Sequence, residues 1–231
     1  MPVEPGDLAP EPASFGRVTV TTRDFHHHQP GAAGGAQPGR GTAGIVVDEC
    51  AAAEAVAAPG PCVIACGVVS PVNIGSTYRL MACLDFRSLR RVAGDTAASA
   101  TQTMQTPNKQ KLRSTSKSCE AHVQTADPMA LPDFLDELRR GNGAPGTPDR
   151  LPIVAIETAS GAVDIHSFAW PAQCSIMVGG ESDGIPPSVV ELLRPGHDHL
   201  VVIPMPGPHK SLNVATALAM ALFSYRGQHP G

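Results

Sequence analysis

The chain has 231 residues, 42% of them hydrophobic but only 4% aromatic, and Gly and Pro together fill 46 positions, about 20% against a usual ~12%. This length gives one medium domain, or one domain with a tail, whose core must be built from Ala, Val, Leu and Ile. A formal net charge of −4 excludes a uniformly basic protein that coats nucleic acid, while leaving room for a local basic patch. No apolar run of about 18 residues occurs, so no membrane-spanning helix is expected.

Residues 1–57 are expected to form a low-complexity, mostly disordered tail. The first 60 positions hold 7 Pro, 9 Gly, 7 acidic and 3 basic residues, so the net negative charge of the chain resides there. The Gly/Ala/Pro/Gln stretch Gln29–Gly44 cannot bury enough surface to offset its ordering entropy. A short strand fits Val18–Thr22. His26, His27 and His28 lack Cys or acidic partners at ligand spacing and read as solvated, so no metal is expected. The chain opens with Glu4, Asp7 and Glu11 and has no early apolar segment, which fits neither a transit peptide nor a secretory signal. The expected location is intracellular, with the cytoplasm first and an organelle as the alternative.

From residue 58 onward strands and helices alternate. Cys62–Val69 is a continuous apolar run, as in a strand buried on both faces. Ser70-Pro71 ends it, and Asn73–Leu84 reads as a helix. Leu89–Val92 is a short strand; Asp95–Lys117 is rich in Thr, Ser, Gln and Ala and ambiguous. Pro132–Arg140 reads as a helix, with Pro near its start and Gly141 after its end. Ile153–Glu157 and Ser175–Val178 are strands, Pro187–Leu193 a short helix, Leu200–Ile203 a strand, and Ser211–Tyr225 a final helix capped by Ser211. This alternation predicts an α/β fold, a parallel sheet with helices on both faces. The six cysteines form no CxxC pair, and Cys62 and Cys66 share one face of their strand as small core residues.

Three strands are followed by loops rich in Gly, Pro and small polar residues, at the strand ends where open α/β sheets bind ligands. They are Asn73–Arg79, Gly179–Gly184 and Ile203–Asn213. Neither GxGxxG nor GxxxxGK[ST] is present. In this order the loops resemble the three motifs of the SpoU/TrmH family of SPOUT RNA 2′-O-ribose methyltransferases. Asn73, Gly75, Ser76 and Arg79 match the first motif; Gly179, Glu181 and Gly184 match the second; Ile203–Met205 and Ser211–Val214 match the third, with Glu157-Thr158 matching the family's Glu-Thr. The resemblance runs from about Pro61 to Tyr225.

The resemblance implies an enzyme that uses S-adenosyl-L-methionine to methylate a ribose 2′-OH of tRNA or rRNA, a homodimer, and a C-terminal trefoil knot. It implies catalytic roles for Arg79, Asn73 and Glu181, and cofactor contacts from Thr158, Gly179, Ile203, Ser211, Leu212 and Asn213. A guanidinium titrates above pH 12, so Arg79 acts either as a base assisted by RNA phosphate or as a cation that fixes phosphate and stabilises the developing alkoxide. Glu181 binds either ligand or a neighbouring loop. The amide of Asn213, within an apolar helix, is expected to bond to a loop. The final helix, with Ala215, Ala217, Ala219 and Ala221 beside Leu218, Leu222 and Phe223, is apolar nearly all round, as suits a helix buried on most sides. The third loop departs from the family in Pro206, Pro208, His209 and Lys210, which keeps a catalytically silent RNA-binding or ribosome-assembly factor as the alternative. Seven basic residues against one acid lie between Arg87 and Lys117. Arg87, Lys109, Lys111 and Arg113 of that run, with Lys210, are the expected RNA contacts.

Overall fold

Cys62–Cys66 forms the first strand, β1, ended by Gly67, whose φ of +74° suits a residue without a Cβ. The computed structural model describes residues 61–105, 107–141 and 150–230; the expected tail, the strand at Val18–Thr22 and the three histidines lie outside them. Ser70-Pro71 does more than end a strand. Pro71 occupies the first turn of helix α1 (Pro71–Cys83), where its missing N–H is no loss. The chain continues through β2 (Ser88–Val92), α2 (Ala97–Met104), α3 (Lys109–Ser116), a 3₁₀ turn at Cys119–His122, β3 (Gln124–Thr125) and α4 (Leu131–Gly141). After residue 150 come β4 (Ile153–Ile156), β5 (Val163–Asp164), β6 (Ser175–Val178), α5 (Pro187–Val190), β7 (His199–Val202) and α6 (Val214–Gln228).

The ambiguous stretch thus resolves into two short helices, capped by the side chains of Thr96 and Asn108 on the N–H groups of Ser99 and Lys111. The seven strands form one sheet in the order β3-β2-β1-β6-β4-β7-β5, every pairing parallel. Strand alternation divides the core. One face sets Val63, Leu89, Val154, Ile176 and Val201 against Ile74 and Met81 of α1 and Leu218 and Leu222 of α6. The other sets Ile64, Cys66, Ala155 and Met177 against Phe134 and Leu138 of α4 and Val189 of α5. The predicted parallel sheet with helices on both faces is therefore present, and Cys62 and Cys66 share a face as expected.

Two interactions fasten the sheet's ends. At the amino ends, buried Asp198 accepts two bonds from Arg150 (2.7 and 2.5 Å) and further bonds from the N–H groups of Ile153 (2.8 Å) and Arg194 (2.7 Å), tying β4 to the approach to β7. On the opposite flank, the Arg226 side chain of α6 donates to the carbonyls of Leu84 and Asp85, closing the carboxyl end of α1.

The final helix differs from expectation in two ways. Its cap is Asn213, whose Oδ1 accepts from the N–H groups of Ala215 and Thr216, rather than Ser211, which lies outside the helix. Nor is it buried nearly all round: Phe223 is 73% exposed, and Met220 and Leu212 are also open. Ala215, Leu218, Ala221, Leu222 and Tyr225 meet the core, while Met220 and Phe223 stand on the open side.

Candidate active site

The carboxyl ends of β4, β6 and β7, neighbours in the sheet, open into a cleft of about 320 Å³. It is lined by Ile156, Glu157 and Thr158 after β4, by Val178–Gly184 after β6, and by Ile203, Met205, Lys210–Leu212, Val214 and Ala217 after β7. Five of the six expected cofactor contacts, Thr158, Gly179, Ile203, Ser211 and Leu212, meet there. Asn213 does not line the cleft.

Asn213 instead belongs to a relay that joins the second and third loops to α1, the helix in which Asn73–Arg79, expected as the first loop, lies. The Asn213 Nδ2 donates to Asn73 Oδ1 (3.1 Å), and the Asn73 Nδ2 donates to Glu181 Oε1 (2.8 Å). The Glu181 carboxylate also accepts from the N–H groups of Val69 (3.3 Å) and Ser70 (3.1 Å). Glu181 therefore does contact the neighbouring loop, its oxygens holding the turn from β1 into α1, while it also lines the cleft. Asn73, buried in α1, is likewise engaged with protein on both sides and does not line the cleft. Asn73 and Glu181 thus join these segments within the protein, and Glu181 also lines the cleft.

Glu157, passed over as a site residue in the sequence, does similar work. It accepts from the N–H groups of Ile185 (2.9 Å) and Thr158 (2.8 Å), pinning the second loop to the end of β4. Its signal was its place after a fully apolar strand, where a carboxylate needs partners. Gly179 lines the cleft and is also required by its own loop. A Cβ there would lie 2.1 Å from the Gly184 carbonyl carbon, so the glycine lets the second loop fold back on itself. Gly75 plays an equivalent part on α1, where a Cβ would come within 2.8 Å of Thr115 and 2.9 Å of the Leu112 carbonyl oxygen of α3.

The basic residues divide. Lys109, Lys111 and Arg113 stand exposed on α3, which packs along α1. Lys210 lines the cleft but turns inward, donating to the Met205 carbonyl (2.9 Å) and clasping its own loop. Arg87 precedes β2 and is therefore at the amino end of a parallel sheet, away from the cleft, paired with Asp85 at 2.8 Å. Arg90 bonds Glu137 through two nitrogens and lies over Phe134, and Arg91 is buried, so neither belongs to an outward basic face. Arg79 is exposed on α1 and makes no hydrogen bond or ion pair among the described residues; it does not line the cleft.

The lining carries three carboxylates, Glu157, Glu181 and Asp183, against one cation, Lys210. With its apolar side, Ile156, Val178, Ile203, Leu212 and Val214, this makes a slot for a flat apolar group that bears positive charge. No group of three or more His, Cys, Asp or Glu that could hold a metal occurs among the described residues.

A parallel α/β sheet with its ligand cleft at the carboxyl ends of adjacent strands, closed by three interlocked loops, defines the class. The chain belongs to the SpoU rRNA Methylase family, whose profile matches residues 61–223. A curated relative, the 23S rRNA (guanosine-2′-O-)-methyltransferase RlmB of Xanthomonas axonopodis pv. citri, is 32% identical over 105 residues, covering 37% of this chain and 41% of that protein. The aligned region thus spans less than half of that relative. Among solved structures, the A. aeolicus TrmH/SpoU tRNA modifying enzyme superposes with a TM-score of 0.56 at 20% identity, over 74% of this chain and 76% of that one. The SpoU methyltransferase AviRb of Streptomyces viridochromogenes, in complex with AdoMet, gives 0.53 at 23%, over 75% and 59%. At these identities the structural likenesses establish the fold.

Proposed function

We propose that the protein transfers a methyl group from S-adenosyl-L-methionine to a ribose 2′-OH of tRNA or rRNA, inside the cell. The observation that carries this is the cleft itself, where Thr158, Gly179, Ile203, Ser211 and Leu212, brought from three strand ends, surround one slot with an excess of carboxylates. The donor supplies an electrophilic sulfonium methyl when bound. The apolar walls Ile203 and Leu212 hold the adenine, the backbone around Gly179 and Ser211 supplies polar contacts, and the acidic lining favours the cationic donor over its neutral thioether product. The relay Glu181–Asn73–Asn213 fixes the walls so that the ribose oxygen meets the methyl in line. Arg79, without a hydrogen bond or ion pair among the described residues, is the cation that meets RNA phosphate and steadies the developing alkoxide.

The silent alternative rests on the altered third loop. Lys210 clasping Met205 shows how that loop holds its form despite Pro206 and Pro208, and the cleft beside it remains open. Titration calorimetry with S-adenosyl-L-methionine separates the two readings: an enzyme binds with one site per chain, and a silent factor releases no heat.

The exposed Met220 and Phe223, three residues apart on α6, support a homodimer, because exposed apolar surface marks interaction sites. The threading of α6 into a trefoil knot belongs to the same reading.

RNA contacts beyond Arg79 are assigned to α3. Changing Lys109, Lys111 and Arg113 to Gln removes up to three phosphate contacts, and the log–log slope of RNA affinity against salt becomes shallower by up to about 2, at roughly 0.7 per contact on single strands. Donor affinity stays unchanged, since none of the three lines the cleft. Binding across a salt series checks this; superimposable slopes would make α3 a solvated face only.

A further inference from the structure

Arg91 is an anomaly among the charged residues. It points from β2 into the same layer as Leu89, is 6% exposed, and lies beneath α2. Of its five N–H donors, one is used, from Nη2 to the carbonyl of Thr103 at 3.1 Å. Its Nε is buried without a partner, and no carboxylate pairs with it among the described residues. Burial pulls its pKa below the ordinary arginine range, as expected for a cation that has lost water without gaining an anion. Its neighbour Arg90, by contrast, has both a carboxylate and an aromatic ring.

The cover over Arg91 is poorly satisfied as well. The hydroxyls of Ser99 and Thr103, both on α2, are buried without partners. Thr103 is the one buried residue of this helix, and Met104 is half exposed. A helix that buries no apolar side chain and leaves two hydroxyls and a guanidinium edge unbonded is held weakly. Its place is also significant. Ser99 lies over Gly94 and Gly67, and Gly67 touches Gly180 of the second loop, so the polar cluster adjoins the cleft across the ends of β1 and β6.

We propose that Arg91, with the Ser99 and Thr103 hydroxyls, is a covered binding site for a backbone phosphate of the RNA substrate, and that α2 is the lid displaced when the phosphate enters. This rests on the RNA reading above. The Nε–Nη2 edge, of which Nε is unbonded and Nη2 is held only by the Thr103 carbonyl, matches two phosphate oxygens, and the hydroxyls supply neutral donors on the helix above it. The phosphate replaces the Thr103 carbonyl and supplies the missing counter-charge, so RNA binding relieves a cost stored in the free protein. A site beside the donor cleft would grip the strand close to the ribose being methylated.

The test uses the full chain, a single-stranded 20-mer RNA and inorganic phosphate. Arg91→Met is expected to keep or raise Tm, because it removes an unpaired buried charge, to leave donor affinity unchanged, and to weaken RNA binding roughly tenfold. Its salt slope should be shallower by about 0.7, one contact, and Arg91→Lys should restore the slope. Amide exchange at residues 97–104 should speed up on addition of RNA and not of phosphate alone. An unchanged slope in Arg91→Met overturns the assignment, whether Tm falls or not, and leaves Arg91 structural. Opening of α2 by inorganic phosphate without any change in RNA slope overturns RNA as the source. A wild-type protein that transfers methyl yet matches Arg91→Met in slope refutes only this site, whereas one that binds no RNA refutes the reading beneath it.

Discussion

Replacing Arg79 with Ala is expected to lower methyl transfer by roughly 10²–10³-fold, the usual loss when one group that stabilises a developing oxyanion is removed. Donor affinity should hardly change, because Arg79 does not line the cleft. Stability should also hold, since the side chain is exposed and has no partner among the described residues, and such surface changes usually stay within about 0.5 kcal/mol. This combination makes Arg79 informative: a catalytic loss cannot be traced to unfolding or to an empty donor site. Single-turnover transfer at saturating donor, with calorimetry and a thermal melt on the same sample, checks all three. Turnover above a tenth of wild type would remove Arg79 from the chemistry.

Replacing Asp198 with Ala should act on the opposite end of the sheet and on stability. Breaking a buried pair by removing one partner typically costs about 3–5 kcal/mol, here a fall in Tm of about 10 °C. Burial alone would push the Asp198 carboxyl up, but the two bonds from Arg150 and the N–H groups of Arg194 and Ile153 outweigh it and hold the group below its ordinary range. A depressed folded-state pKa stabilises the fold above the unfolded value, near 3.9, and that contribution is lost as pH falls through the folded value. Wild-type protein should therefore lose stability on acidification below about pH 4, and Asp198→Ala should show a shallower loss there. A variant with wild-type Tm and the same acid profile would show the pair to be dispensable.

Much of this architecture was legible because each level of the sequence agreed. Val63–Cys66, Ile153–Ile156 and Ile176–Val178 are apolar without alternation, and a strand can be so only when buried on both faces. The second and third loops were legible because Gly and Pro cluster after their strands, whereas Asn73–Arg79 lies in α1. What was hidden depends on contacts between distant residues. β3 and β5 have two residues each, too short for periodicity, and exist only because β2 and β7 offer open edges. Asn213 looked like a polar residue inside a helix; it is the cap, and its second amide atom reaches Asn73, 140 positions away in the chain. Glu181 could not be assigned without the backbone of Val69 and Ser70 beside it. The basic run misled because charge along a chain does not say which way side chains face: Arg90 and Arg91 turn inward and Arg87 lies at the wrong end of the sheet. The exposed Phe223 was masked by the alanines around it.

Methyl transfer to a ribose oxygen is open to direct test. The most direct measurement incubates the full chain with methyl-labelled S-adenosyl-L-methionine and unmodified tRNA and rRNA, digests the RNA, and identifies the labelled nucleoside. The account predicts label in a 2′-O-methylated ribonucleoside, in a phosphodiester that resists alkali because its 2′-oxygen can no longer attack. Label on a base, or RNA left unlabelled by a protein that binds the donor, would contradict it.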